Sequence, residues 1–353
     1  ELLTAIERPY PKELRDQVLA LYQSGENEID RMGALDRALG EQLADAVLAV
    51  CKQGGLTPDQ VDVIGSHGQT IRHRAPTFTL QIGSPFVIRQ RTGITTIADF
   101  RPADVVEGGE GAPLAPMLHQ AIFSEQGRRV AVVNLGGIAN ITALSGEGAT
   151  PMVAGDTGPA SCLMDLLVTQ LSDGQELYDH NGQRAALGRV DETILEEMLQ
   201  EPYTLRPFPK STGRELYSRA YLDGFLNRTD DLSDNDRFAT LAEFTVETVA
   251  RAAEQLLAPH PHRMILCGGG ARNGHLVNRF RQRLPDTQLA DMATLAIDTD
   301  SLEAQAFGWF AVRSLLGLPS SAPGATGAER PALLGSILPG RGYGAFSTFS
   351  RRE

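Results

Sequence analysis

Hydrophobic positions recur three and four residues apart over 12–24 (KELRDQVLALYQS) and 28–54 (EIDRMGALDRALGEQLADAVLAVCKQG), the period of helices that bury one face. At Val61-Asp62-Val63-Ile64 the pattern becomes a short β-branched run that ends in Gly65-Ser66-His67-Gly68-Gln69-Thr70, and a second strand is predicted at 78–81 (FTLQ). A helix over 85–92 and a strand over 94–98 (ITTIA) continue the alternation expected of a sheet covered by helices.

From 129 the spacing tightens. Three closely spaced strands are predicted at 129–134 (RVAVVN), 138–144 (IANITAL) and 151–154, the first two joined by Leu135-Gly136-Gly137, and such short connections make antiparallel pairs. A helix over 160–171 follows. After a polar interruption at 173–215 come a long helix through 237–257, a strand at 263–267 (RMILC), a helix over 272–283 and a last helix over 301–316. The reading is an α/β chain of two domains, 1–127 and 128–353. The second carries an insertion at about 173–215 that is too rich in Arg, Lys, Tyr and Phe for a linker. Each domain mixes antiparallel strands with β-α-β units, and a duplicated architecture of this kind holds its ligand in the cleft between the halves.

Composition narrows the partners. With 42% hydrophobic and 22% charged residues in 353, the chain has the make-up of an ordinary globular protein. A net charge of −12 with no basic stripe argues against nucleic acid and against an anionic membrane surface. No run of about eighteen apolar residues is present to span a membrane, and ELLTAIERPYPKEL has neither the basic start nor the apolar core of a secretion signal. Cys51, Cys162 and Cys267, odd in number and scattered, point to a reducing compartment, the cytoplasm.

Candidate chemistry sits at the corners of the predicted elements. Asn134-Leu135-Gly136-Gly137 is either an ordinary hairpin turn or a place where bare backbone approaches a ligand oxygen. Gly155-Asp156-Thr157-Gly158-Pro159 puts a carboxylate, a hydroxyl and amides before a predicted helix; Asp156 reads equally as an N-cap or as a catalytic carboxylate. Gly268-Gly269-Gly270-Ala271-Arg272-Asn273 lies between a strand and a helix, where a flat ligand such as adenine can rest on backbone, and it matches neither a spaced dinucleotide fingerprint nor a Walker loop. His67 and His73 lack zinc spacing and read as structural. Asp99-Phe100-Arg101-Pro102-Ala103-Asp104 ends a strand; Arg101 either binds a carboxylate through two parallel bonds or pairs with Asp99 or Asp104. Gly108-Gly109-Glu110-Gly111 reads as a flexible turn entering a helix.

Taken in order, the segments IGSHGQTIRH, DFRPADVVEGGEGAPLAP, NLGGIANIT, DTGPASCLMD, NGQRAALGRV, PKSTGRE, CGGGARN and ATGAERPALLGSILPG resemble those of the anhydro-N-acetylmuramic acid kinases. The resemblance runs from about Pro11 to the C-terminal region, and HGQT, DFRxxDV and KSTGRE together are far more specific than any glycine pair. It implies the sugar kinase, heat-shock protein 70 and actin superfamily, in which two ribonuclease-H-like domains flank an interdomain cleft for ATP and Mg²⁺. The implied reaction opens the 1,6-anhydro bond of 1,6-anhydro-N-acetylmuramic acid and phosphorylates O6, a step of cell-wall recycling, in a homodimeric enzyme.

On this resemblance Asp156 falls on the catalytic base. Gln69, Thr70, Arg101 and Asp104 fall on the sugar side, with the lactyl carboxylate opposite Arg101. Asn134, Gly136, Gly137, Gly158, Gly268, Gly269, Gly270 and Asn273 fall on segments that face ATP, and Glu303 orients a water or the metal. Two departures stand out. Ala160 and Ser161 replace the family's usual Gly-Asn after the Asp corner. The family opens with a Gly-Thr-Ser-Leu-Asp-Gly hairpin that grips ATP phosphates, and the residues given start beyond it, which leads one to expect a first domain without its first strands and little kinase activity. The alternative readings are a truncated relative that binds sugar or nucleotide without catalysis, and a kinase of the same superfamily for another sugar.

Overall fold

The first amphipathic stretches form α1 (Lys12–Leu21) and α2 (Glu28–Gln53) in the computed structural model, which describes residues 2–146, 152–292, 295, 301–341 and 343. Leu14, Val18 and Leu21 lie on one face of α1 and pack on Leu35 and Leu39 of α2. The same cluster takes in Ile71 and Ile82 from an antiparallel hairpin, β2 (Gln69–Arg74) and β3 (Phe78–Ile82). Before this hairpin runs β1 (Val63–Gly65); after it come α3 (Pro85–Thr92), β4 (Thr95–Ala98), α4 (Pro102–Val106) and α5 (Ala115–Phe123). β2 is a strand of its own, where the sequence pattern suggested only the polar end of β1, because the alternation in QTIRHR carries one buried residue, Ile71.

The next run contains β5 (Val130–Leu135), β6 (Ile138–Leu144), β7 (Val153–Pro159), α6 (Cys162–Leu171), α7 (Gln183–Leu187), α8 (Glu192–Leu199), α9 (Arg219–Asn227), α10 (Asp234–Leu256), β8 (Arg263–Cys267), α11 (Gly274–Arg283) and β9 (Gln288–Asp291). The chain closes with α12 (Leu302–Leu315), α13 (Pro323–Thr326) and β10 (Ser336–Leu338).

Two compact units emerge, Glu1–Leu118 with Asp300–Glu353, and His119–Thr299. This differs from a boundary at 127/128 with everything after it in one domain: the C-terminal segment returns to the first unit. β10 pairs antiparallel with β4, which lies parallel to β1, and α12 buries Ala306, Phe310 and Ala311 against Ile97 and Phe100. A three-residue strand and a helical period say what an element is, and nothing in either says which sheet it joins.

In the second unit the sheet runs β7-β6-β5-β8-β9, with β6 alone antiparallel to its neighbours. This order, 3-2-1-4-5 with the second strand reversed, is the ribonuclease-H-like arrangement expected above. Val130, Ala131, Val132 and Val133 of β5 are all buried, the mark of a strand covered on both faces. α10 starts at Ser233, whose Oγ accepts from the Asp236 amide at 3.2 Å, and buries Phe238, Leu241, Phe244 and Val249 in the core. The interruption at 173–215 contains helices α7 and α8, and α8 packs Ile194, Leu195, Met198 and Leu199 into that core. Two turns of helix carry too few apolar positions to stand out from a polar background.

A Cβ added at Gly65 would collide with the backbone of Phe307, so α12 seats directly on β1. Gly65→Ala is therefore expected to push the helix off the sheet at a cost of about 1–3 kcal/mol. Urea unfolding reads this; an unchanged midpoint would mean that α12 does not rest on β1.

Candidate active site

Asp156 lies inside β7, paired with Asn140 of β6, and α6 begins only at Cys162 with Ser161 as the residue before it. The capping alternative for Asp156 is thereby overturned, and the helix corner expected at 155–159 is strand. The amides that lead into α6 are already used: Ser161 N–H donates to Gly136 O at 3.1 Å, and Ala160 and Cys162 N–H donate to Gly137 O at 2.9 and 3.1 Å. The Gly136 and Gly137 carbonyls thus take the amides of residues 160–162.

β7 is an edge strand, and the segment at 203–212 lies along its free side. Asp156 N–H donates to Lys210 O at 2.9 Å, and Gly155, lacking a Cβ, lets Lys210 and Phe208 approach. Thr212 N–H (2.9 Å) and Ser211 Oγ (3.2 Å) both donate to Asp156 Oδ2. Oδ1 accepts no hydrogen bond among the described residues. Burial raises the Asp156 pKa above the ordinary carboxylate value, the bonds from Thr212 and Ser211 oppose this, and the Glu215 charge adds to it.

Asp156, Asn140 and Asn134 stand opposite one another on β7, β6 and β5, a polar row that steps across the sheet at about 5 Å per strand. Beyond β5 the row reaches Cys267, and Gly268 follows it. Side chains at Gly268 and Gly270 would strike Asn134 and Leu135, so these two glycines are explained by packing against the end of β5, whereas Gly269 faces open space. Gly158 abuts Thr248 of α10. Asn273 caps α11, its Oδ1 accepting from Leu276 N–H at 3.2 Å. Of the residues expected to face ATP, Asn134 and Gly269 are thus the ones with no such structural duty, while Gly136 O accepts from Ser161 N–H and Gly137 lies under the Arg214 guanidinium.

In the first unit, Arg101 follows β4. Its Nε donates to His67 Nε2 at 2.8 Å and its Nη1 to Gly111 O at 2.8 Å, in place of the pairing with Asp99 or Asp104. Since His67 Nε2 accepts, the ring proton sits on Nδ1, which donates to Gly68 O at 3.0 Å. Nη2 of Arg101 has no partner among the described residues. Asp104 does not meet the expectation of direct sugar contact: it is fully buried, and Oδ2 accepts from Gly111 N–H (2.8 Å) while Oδ1 accepts from Thr326 Oγ1 (2.7 Å). Asp104 holds the Gly111 peptide whose carbonyl holds Arg101, so the 108–111 turn is tied down where the sequence suggested flexibility. Glu303, exposed in the first turn of α12, acts electrostatically on Arg101. Gln69 donates to Tyr22 Oη at 3.0 Å, and Thr70 Oγ1 accepts from Gln81 at 3.1 Å.

Sequence reasoning missed His67 as the partner of Arg101, Asn140 as a member of the polar row, and Tyr203, Lys210, Ser211 and Thr212 around Asp156. PKSTGRE was visible as a motif, but its destination beside β7 lies about fifty residues from Asp156 along the chain, and no spacing announces it.

The architecture is a mixed α/β fold with a ribonuclease-H-like unit that carries an edge-strand carboxylate and a glycine turn between β5 and β6. The family model described as anhydro-N-acetylmuramic acid kinase matches residues 1–340. Similar proteins of that description include one from Shewanella amazonensis, 42% identical over 332 residues, covering 93% of this chain and 89% of the relative. One from Shewanella loihica is 41% identical over 335 residues, covering 94% and 89%. The chain belongs to the anhydro-N-acetylmuramic acid kinase family. Among solved structures, a ROK family glucokinase from Streptomyces griseus covers 77% of this chain and 88% of its own at 15% identity with a TM-score of 0.34, a distance at which the likeness carries no argument.

Burial lowers His67 to about 4, with help from the Arg101 charge, and burial alone lowers His119 to about 4, both from an ordinary 6.5. Between these values the unfolded chain binds protons that the fold refuses, so stability is expected to fall as pH drops from about 6.5 toward 4. The urea midpoint should decrease from pH 7 to pH 5, and less so in His119→Gln. An equal decrease in that variant would show that the His119 ring is not the cause.

Proposed function

We propose that this chain uses ATP to open the 1,6-anhydro ring of 1,6-anhydro-N-acetylmuramic acid and to phosphorylate O6, giving N-acetylmuramic acid 6-phosphate in peptidoglycan recycling. The observation that carries the reading is the Asp156 carboxylate, with one oxygen held by two donors and the other open, in a chain of this family. Water adds to C1, the C1–O6 bond breaks, and O6 takes the γ-phosphoryl group as ADP leaves. Asp156 Oδ1 accepts the proton of that water. A carboxylate whose pKa is raised by burial is the stronger base for the task.

Arg101 binds the lactyl carboxylate through its open Nη2, with His67 and the Gly111 carbonyl setting the plane of the guanidinium. Thr70 and Gln69 offer polar groups to the sugar, and Asp104 acts behind Arg101. Asn134, Gly136 and Gly269 give the nucleotide a close approach to backbone. Mg²⁺ supplies charge neutralisation on the phosphates. Glu303 would orient that ion, directly or through a water. Three free, buried thiols fit the cytoplasm, and the family resemblance supports a homodimer.

Asp156→Asn keeps the acceptor that Ser211 and Thr212 use and removes the base. Turnover is expected to fall by about 10²–10⁴, with sugar and ATP affinity near those of the wild type. ATP-dependent formation of the 6-phosphate measures it, and near-normal turnover would remove Asp156 from the role. For the sugar side, an analogue without the lactyl group should lose about 1.5–3 kcal/mol of binding. The Arg101→Ala variant should no longer tell the two sugars apart. Equal affinities for both sugars in the wild type, by calorimetry, would overturn the assignment of Arg101.

A further inference from the structure

The PKSTGRE motif invites the assignment of its lysine to a phosphate, yet Lys210 turns the other way. Its side chain is 7% exposed, its Nζ donates to Tyr203 O (3.1 Å) and Thr204 O (2.8 Å), and it sits 4.9 Å from the ring centres of both Tyr203 and Phe208. Tyr203 is buried as well, and its hydroxyl donates to Asp156 O at 2.9 Å. With Asp156 N–H on Lys210 O, the three residues close a ring: Asp156 main chain to Lys210 main chain, Lys210 ammonium to Tyr203 main chain, Tyr203 hydroxyl back to the Asp156 main chain. From this ring Ser211 and Thr212 step directly onto Oδ2.

We infer that Tyr203, Lys210 and Ser211 are positioning residues for the Asp156 carboxylate, holding the segment 203–212 on the edge of β7 so that Oδ2 is fixed and Oδ1 faces the reacting water. The inference rests on the reading of Asp156 as the base. A carboxylate on an open strand edge would otherwise rotate about its side-chain bonds. Two donors on one oxygen remove that freedom and leave the second oxygen's lone pairs for a proton.

The groups around Asp156 decide what loosening the segment does to its titration. The donors from Ser211 and Thr212 stabilise the charged form, Glu215 destabilises it, the Tyr203 phenol is spent on the Asp156 main-chain carbonyl, and Asn140 on β6 carries no charge. Lys210, lowered to about 8 by burial and by Arg206, is bonded to carbonyls and adds no direct bond to the carboxylate. Loss of the two donors therefore raises the Asp156 pKa.

The test compares Ser211→Ala, Tyr203→Phe and Lys210→Met with Asp156→Asn in the full chain, following kcat and KM for the anhydro sugar across pH. Ser211 is exposed, so its variant leaves the core untouched. In each of the three variants kcat is expected to fall by about 10- to 100-fold, as misplacement of a catalytic group by a fraction of an ångström to an ångström does, with sugar KM within about twofold. The acid limb of the kcat profile should move to higher pH, a readout that a loss of stability alone would not move. Wild-type kcat and acid limb in Ser211→Ala and Tyr203→Phe, beside an inactive Asp156→Asn, would overturn the positioning role. A rise in sugar KM at constant kcat would overturn it too, making the segment part of the sugar site. Turnover by Asp156→Asn would instead defeat the base reading, and this inference with it.

Discussion

An edge strand leaves a row of amides and carbonyls with no sheet partner, and in the second unit that need is met at β7 by a loop rather than by another strand. The bond from Asp156 N–H to Lys210 O is where the requirement is satisfied, and the site follows from it. Once Lys210 lies against Gly155 and Asp156, the next two residues reach the carboxylate with no further turn of the chain. The same loop must then be held from its other end. A lysine inserted between two aromatic rings and bonded to two carbonyls does so at the expense of burying an ammonium group, which is why burial lowers its pKa.

The first unit answers a similar need with a buried charge. Asp104 is fully enclosed, and a carboxylate there is tolerable only because the Gly111 amide and the Thr326 hydroxyl both donate to it. Gly109 is bare for the same reason, since a side chain would strike the Asp104 carboxylate. The consequence reaches Arg101 through the Gly111 carbonyl, while a neutral His67 takes its Nε. In both units, then, the group proposed for the chemistry is held by its neighbours, Asp156 by Ser211 and Thr212, Arg101 by His67 and the Gly111 carbonyl.

Much of this was legible before any coordinates. The period of α1 and α2, the meander of β5, β6 and β7, the helix at α10 and the strand at β8 follow from apolar spacing and turn residues, because each buries a continuous face that local sequence must supply. Short elements were not legible: β9 and β10 are four and three residues long with no fully buried side chain, and α8 has four buried residues, too few to set a period against their surroundings. Asp156, Arg101 and the glycine turns were singled out by residue type and motif, and the motif resemblance carried the family.

What the sequence by itself determined is the set of elements with strong periodicity, the residue types at their corners, and membership in a kinase family. Tertiary structure alone decided that the last helix and strand return to the first unit, that Asp156 stands in a strand and caps nothing, and that Asp104 works behind Arg101. It alone brought residues 203–212 to Asp156. The physical reason is common to all of these. Helical and strand periods are set by neighbours within a few residues, whereas the partner of a sheet edge or of a buried carboxylate is whichever donor the packed core brings near, at any distance along the chain.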